Sequence, residues 1–129
     1  MKALYITPAA NVFRLEGDIL KEVWTVPELT DVTIVEKHME LSEKWYTETA
    51  SILILVDGSV TTRMDKAIRD FIFSFFEEKQ PKGIAILAKS AISRAIGTML
   101  LALKRPSFNI KLFSDEQKAY NWLLEQKNK

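Results

Sequence analysis

The pattern of apolar and polar residues along the chain predicts strands and helices in alternation. Two runs rich in β-branched and aromatic residues, 11–15 and 19–26, flank the turn-forming Glu16-Gly17-Asp18 and predict a β-hairpin. After the hairpin, short apolar runs indicate buried strands, and apolar residues at three- and four-residue steps indicate helices. These further elements are helices over 32–46, 64–79, 91–104 and 115–127, and strands over 51–57, 84–88 and 109–113. Ser90 and Ser114 are the expected N-caps of the last two helices, and Ile92 is expected to face inward.

The predicted order is β-β-α-β-α-β-α-β-α, which is typical of an α/β fold. Helices that connect successive strands favour parallel pairing with right-handed crossovers, so a mixed sheet with an N-terminal hairpin and about four helices is expected. The chain has 129 residues and shows no linker or repeat. We therefore expect a single domain over residues 1–129.

Composition and charge exclude several classes of function. The formal net charge of +1 argues against a dedicated nucleic-acid binder. There are no cysteines, so a disulfide, a thiolate nucleophile and cysteine-bound zinc are excluded. The first residues lack the features of a signal peptide, and no apolar run approaches the ~20 residues that span a bilayer. We expect a cytoplasmic protein without a metal, a cofactor or a stable membrane insertion.

The segment VDGSVTTRMDKA, residues 56–67, contains the most suggestive polar side chains. A buried strand leads into an aspartate, three hydroxyl residues and the start of a helix. One interpretation is a loop that contacts a partner or a ligand, and the other is a structural loop of turns and helix caps. The candidate binding residues of this loop are Asp57, Ser59, Thr61, Thr62, Asp65 and Lys66.

This loop and the end of the chain resemble one known family. The strand–loop–helix at 51–76 and the ending KLFSDEQKAYNWL are similar to the SpoIIAA-like bacterial branch of the STAS domains, relatives of the anti-sigma-factor antagonists. The resemblance extends from about Asn11 onward. It implies a STAS-like mixed sheet and a non-enzymatic regulatory or protein-interaction module. The positions that carry the ending are Phe113, Ser114, Asp115, Ala119, Trp122 and Leu123.

The same resemblance predicts that a regulatory switch is missing. In antagonists that act as switches, a serine at the start of the helix after this loop is phosphorylated. A phosphate at that place would change the local charge and the fit to a partner. Here Lys66 and Ala67 occupy the two serine positions. We therefore expect no phosphorylation at the helix start.

His38 is the only histidine, and catalysis through it is not expected. A hydrolase needs a nucleophile within reach of a base, and the chain has no G-x-S-x-G motif. His38 falls on the apolar face of its helix with Val35, Met39 and Ser42. We expect a structural histidine, partly buried and bonded to Ser42 or to backbone.

Two apolar residues are candidates for a protein interface. A helical wheel directs Phe71 and Phe75 to the core and places Phe73 on a charged face, where an exposed ring would anchor a partner. Leu101 extends the apolar surface of the third helix, in which Gly97 permits close approach of a neighbour. We expect an unknown protein partner or a homodimer at Phe73 and Leu101, unless Phe73 folds back within the monomer.

An alternative function is a carrier or binder of an apolar small molecule. STAS-like folds resemble the lipid-exchange domains of the SEC14 type. Such a carrier needs an enclosed apolar cavity of roughly a few hundred Å³. We expect no such cavity, because the helix faces look large enough only to cover the sheet.

Overall fold

A computed structural model describes residues 3–48, 52–103 and 107–129. Its helices are α1 (Val32–Glu48), α2 (Lys66–Lys79), α3 (Ala91–Leu103) and α4 (Glu116–Lys127). Its strands are β1 (Tyr5–Ile6), β2 (Ala10–Leu15), β3 (Ile19–Trp24), β4 (Glu28–Leu29), β5 (Leu53–Asp57), β6 (Arg63–Met64), β7 (Gly83–Leu87) and β8 (Ile110–Phe113). The predicted helices and longer strands are present, whereas the two-residue strands β1, β4 and β6 were not predicted.

The main sheet is mixed and six-stranded, which confirms the predicted α/β class. Its order is β1-β2-β3-β5-β7-β8. The first three strands pair antiparallel, while β3, β5, β7 and β8 run parallel to one another. Strands β4 and β6 form a separate parallel pair beside the loop after β5. Because these strands are parallel, the carboxyl ends of β3, β5, β7 and β8 lie together on one side of the sheet.

The predicted hairpin is confirmed. Strands β2 and β3 pair from Ala10 with Trp24 to Leu15 with Ile19. A 3₁₀ turn over Glu16–Asp18 connects them. Asp18 has a φ of 64°, a left-handed conformation that aspartate tolerates better than most side chains. The turn therefore fits the residues that the sequence places there.

Each face of the sheet has its own core, because strands alternate their side chains between faces. Leu20, Ile54 and Ile84 pack on the side of α1 and α2. Ile19, Leu53, Leu55, Ala85 and Leu87 pack on the other side against Ala119 and Leu123 of α4. Burial on both faces explains why these strands read as continuous apolar runs.

Helix α3 approaches the last strand closely, as Gly97 predicted. A Cβ at position 97 would lie 2.8 Å from Leu112 Cδ1, so a larger residue would push the leucine away. The helix begins at the predicted cap, because Ser90 Oγ accepts a hydrogen bond from the Ser93 amide at 3.0 Å. Ile92, which the pattern directed inward, is instead 59% exposed.

The expected exposure of Phe73 is wrong. Its side chain is only 6% exposed, and its ring centroid lies 5.7 Å from that of Phe108. Phe71 and Phe75, expected in the core, are only partly buried. The apolar residues of the segment FIFSFF span more than half of the circumference of α2, so its pattern alone does not fix the orientation of the helix. Phe108, just before β8, covers the face that was expected to be open.

The end of the chain needs one smaller correction. Helix α4 was expected to start at a Ser114 cap. The cap is Asp115, whose Oδ1 accepts a hydrogen bond from the Lys118 amide at 3.0 Å. Both residue types suit this position, and the helix begins one residue later than predicted.

Candidate functional site

A cavity of about 100 Å³ lies between the sheet and helices α2 and α3. The cavity is smaller than the few hundred Å³ that a carrier was expected to need. Its walls are mainly apolar and include Leu29, Met39, Val56, Met64, Ile72, Phe73, Phe76, Ile84, Ile86, Ala88, Phe108 and Ile110.

Small residues line the cavity near the carboxyl ends of the parallel strands. Gly58 and Ala88 follow β5 and β7 directly, and Gly97 lies on α3. A Cβ at position 58 would have no atom within 4 Å, whereas a Cβ at position 97 would meet Leu112. Ligands of open α/β sheets bind near these strand ends, so the location suits a binding site.

A buried polar network occupies one side of the cavity. Glu22 alternates with Leu20 and Trp24 on β3, so its carboxyl group points toward α1 with only 1% exposure. Its Oε1 lies 2.9 Å from Nε2 of the fully buried His38. The hydroxyl of Tyr46 donates to its Oε2 at 2.6 Å. The network therefore joins β3 to two positions on α1 that lie about two turns apart.

Thr7 completes the network at the other nitrogen of the imidazole. Its Oγ1 lies 2.9 Å from His38 Nδ1 and 3.3 Å from the carbonyl oxygen of Ala10. With neutral His38, whose Nε2–H donates to Glu22, the threonine hydroxyl donates to Nδ1. With protonated His38, Nδ1–H donates to Thr7, which donates to Ala10 instead. The histidine thus has partners in both protonation states.

The electrostatics of the network favour an ionised Glu22 and a neutral Tyr46. Burial alone would raise the pKa of Glu22, but the charge of a protonated His38 and the hydrogen bonds from His38 and Tyr46 outweigh it and lower the pKa. Burial, followed by the negative charge of Glu22, raises the pKa of Tyr46 well above its ordinary value. The tyrosine therefore remains a hydrogen-bond donor to the carboxylate.

His38 is a buried residue of this network, as a structural histidine should be, although its expected partner is wrong. Ser42 accepts a hydrogen bond from the hydroxyl of Tyr5 at 3.1 Å rather than bonding His38. The ring centroid of Trp24 lies 4.7 Å from that of His38 and closes this side of the network. The imidazole is 0% exposed, so water and substrate do not reach it.

Arg69 of α2 contributes a different kind of polar group to the cavity wall. Its Nε and Nη1 are buried, and neither donates a hydrogen bond within the described part of the chain. The indole Nε1–H of Trp24 is also buried on this wall. It is close enough to Glu22 to favour the ionised carboxylate but has no hydrogen bond of standard geometry. Trp24 and Arg69 are therefore lining residues whose side-chain nitrogens are packed within the protein rather than exposed to the cavity.

Most candidate residues of the 56–67 loop hold the loop together. Asp57 Oδ1 accepts from the Ser59 amide at 3.0 Å, and Ser59 Oγ accepts from the Lys89 amide at 3.3 Å. Thr61 donates to Val26 O at 2.9 Å, and Thr62 donates to Pro27 O at 3.3 Å. These bonds fit the structural interpretation of the loop, and only Thr61 among these residues also lines the cavity.

The remaining candidate binding residues take no part in these loop hydrogen bonds. Asp65 precedes α2 without a side-chain cap bond and lies 3.5 Å from the guanidinium of Arg63. Lys66 forms an exposed ion pair with Asp70 at 2.8 Å. Phe73 lines the cavity with Thr61. The side chain of Leu101 lies outside the described residues.

Glu22, Trp24 and Arg69 were not predicted as site residues. A signal for Glu22 existed, because a carboxylate alternated with Leu20 and Trp24 on one face of a strand. Arg69 shares a helix face with Phe73, four residues on, as the wheel had indicated. That face points inward rather than to solvent, so the arginine borders the cavity.

Metal binding and membrane spanning have no support in 3–48, 52–103 and 107–129. These residues contain no group of three or more acidic, histidine or cysteine side chains placed to hold a metal ion. They also include no helix with the length and hydropathy needed to cross a bilayer.

Comparisons with known proteins agree with the fold. The model of a domain of unknown function, DUF7793, matches residues 13–127. A crystal structure from Shewanella loihica PV-4, an uncharacterized protein of the DUF3478 family with a SpoIIAA-like fold, superposes with a TM-score of 0.64 at 20% identity. The match covers 95% of this chain and 98% of that one. No curated protein matches the sequence. The expected SpoIIAA-like fold is therefore confirmed.

Proposed function

The chain belongs to the DUF7793 family and has a SpoIIAA-like fold, and from this premise we propose that it is a non-enzymatic binding module for a small apolar ligand. The observation that carries the proposal is the cavity of about 100 Å³ between the sheet and helices α2 and α3. An apolar cavity with a few polar groups on its wall is the usual form of a small-molecule site.

The absence of catalysis is part of this proposal. The hydroxyls that line the cavity already donate elsewhere: Thr61 to Val26 O, and Ser93 to Ser90 O at 3.1 Å. Within the described residues, no hydroxyl bonds to His38 except that of Thr7, which is buried beneath the hairpin. A nucleophile beside a base and facing a ligand is the arrangement that a hydrolase would require.

The test uses a side chain that fills the cavity. Ala88 is 1% exposed on the cavity wall, so Ala88→Leu should occupy the space without adding charge. Saturation-transfer NMR with 1-pentanol should give a clear signal for the wild type and little for this variant. Ala91→Leu, the same change at an exposed position outside the cavity, should keep the wild-type signal. Equal signals from wild type and Ala88→Leu would refute the proposal.

A regulatory or interaction role is the second candidate, with a bacterial cytoplasmic setting and an unknown protein partner. Val60 is 48% exposed and Ile92 is 59% exposed, and the hydrogen bond between Lys89 and Ser59 brings their loops together. Two exposed apolar groups at one edge favour a protein contact. In this role the module would lack the phosphoserine switch, because Lys66 and Ala67 occupy the switch positions.

Self-association has less support from the structure than from the sequence. Phe73 is buried within the monomer, so it offers no surface to a second copy. Sedimentation velocity at tens of micromolar, on the order of concentrations at which weak dimers persist, tests the remaining possibility. A dimer that Ile92→Glu dissociates would favour an interface at the Val60 and Ile92 edge, and a monomeric wild type would exclude a homodimer.

A further inference from the structure

Aromatic side chains form a large part of the apolar wall of the cavity. Phe73 and Phe76 reach it from α2, Phe108 from the segment before β8, and Trp24 from the end of β3. Each of these side chains is between 5% and 6% exposed. The packing of the protein therefore holds these rings at the border of the cavity, where a bound molecule would contact them.

Three of these rings form one cluster. Phe73 and Phe76 are three residues apart and share a face of α2. The ring centroid of Phe108 lies 5.7 Å from that of Phe73 and 5.8 Å from that of Phe76. Separations of about 4.5–7 Å are typical of aromatic pairs that attract one another. An aromatic ring inside the cavity, next to Phe108 and α2, would extend this cluster.

The polar side chains that line the cavity are bonded to the protein or packed within it. The hydroxyls of Thr61 and Ser93 donate to backbone carbonyl oxygens, and the carboxylate of Glu22 accepts from two neighbouring side chains. The side-chain nitrogens of Trp24 and Arg69 are buried. A charged ligand would lose its water here without gaining hydrogen bonds in return. The wall therefore favours a neutral molecule.

The volume of the cavity limits the ligand to a single small ring. An apolar cavity of roughly 150 Å³ holds benzene, and the cavity here is about 100 Å³. Met39 and Met64 also line it. Their unbranched side chains adapt to irregular spaces, and their sulfur atoms make favourable contacts with aromatic rings. A five- or six-membered ring is therefore suitable, whereas a fused ring system or a lipid tail is too large.

We propose that the cavity binds a small neutral aromatic molecule, a single ring that packs against Phe73, Phe76 and Phe108. This inference rests on the proposed function and adds the shape and the π-electrons of the ligand to it. Aromatic pairs attract one another beyond the effect of buried area. A saturated ring of the same atoms lacks this attraction and is thicker than the planar ring, so the cavity should discriminate between the two.

NMR titration of the full chain with thiophene and with tetrahydrothiophene, the saturated form of the same ring, tests this inference. Wild type should bind thiophene about three- to tenfold more tightly than tetrahydrothiophene. Phe108→Leu should reduce this ratio at least about twofold, because it removes one aromatic partner from the wall. Phe113→Leu, the same change in a ring that packs on Trp122 outside the cavity, should keep the wild-type ratio.

The outcomes separate the two proposals. If wild type binds tetrahydrothiophene as tightly as thiophene, or binds 1-pentanol and neither ring, the cavity is a ligand site but the inference about an aromatic ligand is wrong. If none of the three molecules binds, both proposals fail. Phe73→Leu repeats the test at a second ring of the cluster, in case Phe108→Leu does not fold. An unchanged preference for thiophene in a folded variant would contradict the contact between the ligand and these rings.

Discussion

Two charged residues border the same cavity, and their surroundings differ completely. Glu22 has a partner at each carboxylate oxygen, in His38 and Tyr46. Arg69 has two buried guanidinium nitrogens without an acceptor in the described part of the chain. A buried polar group with all its partners belongs to the framework of the fold. One without partners reduces stability.

The Glu22 network also has a clear structural role. It connects Thr7, just before the hairpin, and Glu22 in the sheet to His38 on α1. Hydrogen bonds within such a buried network strengthen one another, and breaking one leaves the others unsatisfied. The network therefore fixes how α1 packs on the antiparallel half of the sheet, beside the cavity.

The largest expected effect follows from breaking this network. Glu22→Gln should lower the free energy of unfolding by about 3 kcal/mol, because it leaves His38 without its buried carboxylate. Urea unfolding followed by circular dichroism measures this change. Glu40→Gln, the same substitution in an exposed pair with Lys37, should change stability by less than about 0.5 kcal/mol. Equal losses in the two variants would show that the network is not a structural element.

Acid should reduce the difference between wild type and Glu22→Gln. The pKa of Glu22 is lowered on folding from the ordinary value of 4.5, so its ionised form stabilises the fold above that pH. This contribution is lost as the pH falls through the lowered folded pKa. Urea unfolding at a series of pH values from 7 to 3 should show the two proteins converging at the acid end. A constant difference across this range would contradict an ionised Glu22.

The smallest effect is expected at Arg69 and has the opposite sign. In the absence of ligand, Arg69→Met should leave stability unchanged or raise it by up to about 1 kcal/mol, because it removes buried donors that lack acceptors. Thermal unfolding of wild type, Arg69→Met and Arg63→Met measures this change. A loss of more than about 2 kcal/mol would indicate that Arg69 has a structural partner, as such losses accompany broken buried networks.

The sequence predicted the long elements because each has a strong periodic signal. It did not predict β4 and β6, each of two residues, because their pairing depends on contact between distant segments. The orientation of α2 could not be predicted either. The apolar residues of FIFSFF span more than half of the helix circumference, and only the contact with Phe108 in the folded structure shows that Phe73 faces inward.

The candidate site was less predictable than the fold. The loop hydroxyls were candidate site residues because turns and active sites use the same residue types. In the structure, Thr61 and Thr62 donate hydrogen bonds to backbone carbonyl oxygens instead. A cavity arises from the gaps that remain between elements, and small residues such as Gly58 and Ala88 line it. Those gaps depend on the packing distance between helix and sheet, which no local pattern encodes.

The most direct measurement of the central claim is an NMR titration that follows the isoleucine methyl signals as 1-pentanol is added. The methyl signals of Ile72 and Ile84 should shift, because both residues line the cavity. The methyl signals of Ile6, which is 70% exposed, should stay in place. Signals of Ile72 and Ile84 that do not move at saturating 1-pentanol, or that move no more than those of Ile6, would contradict the account.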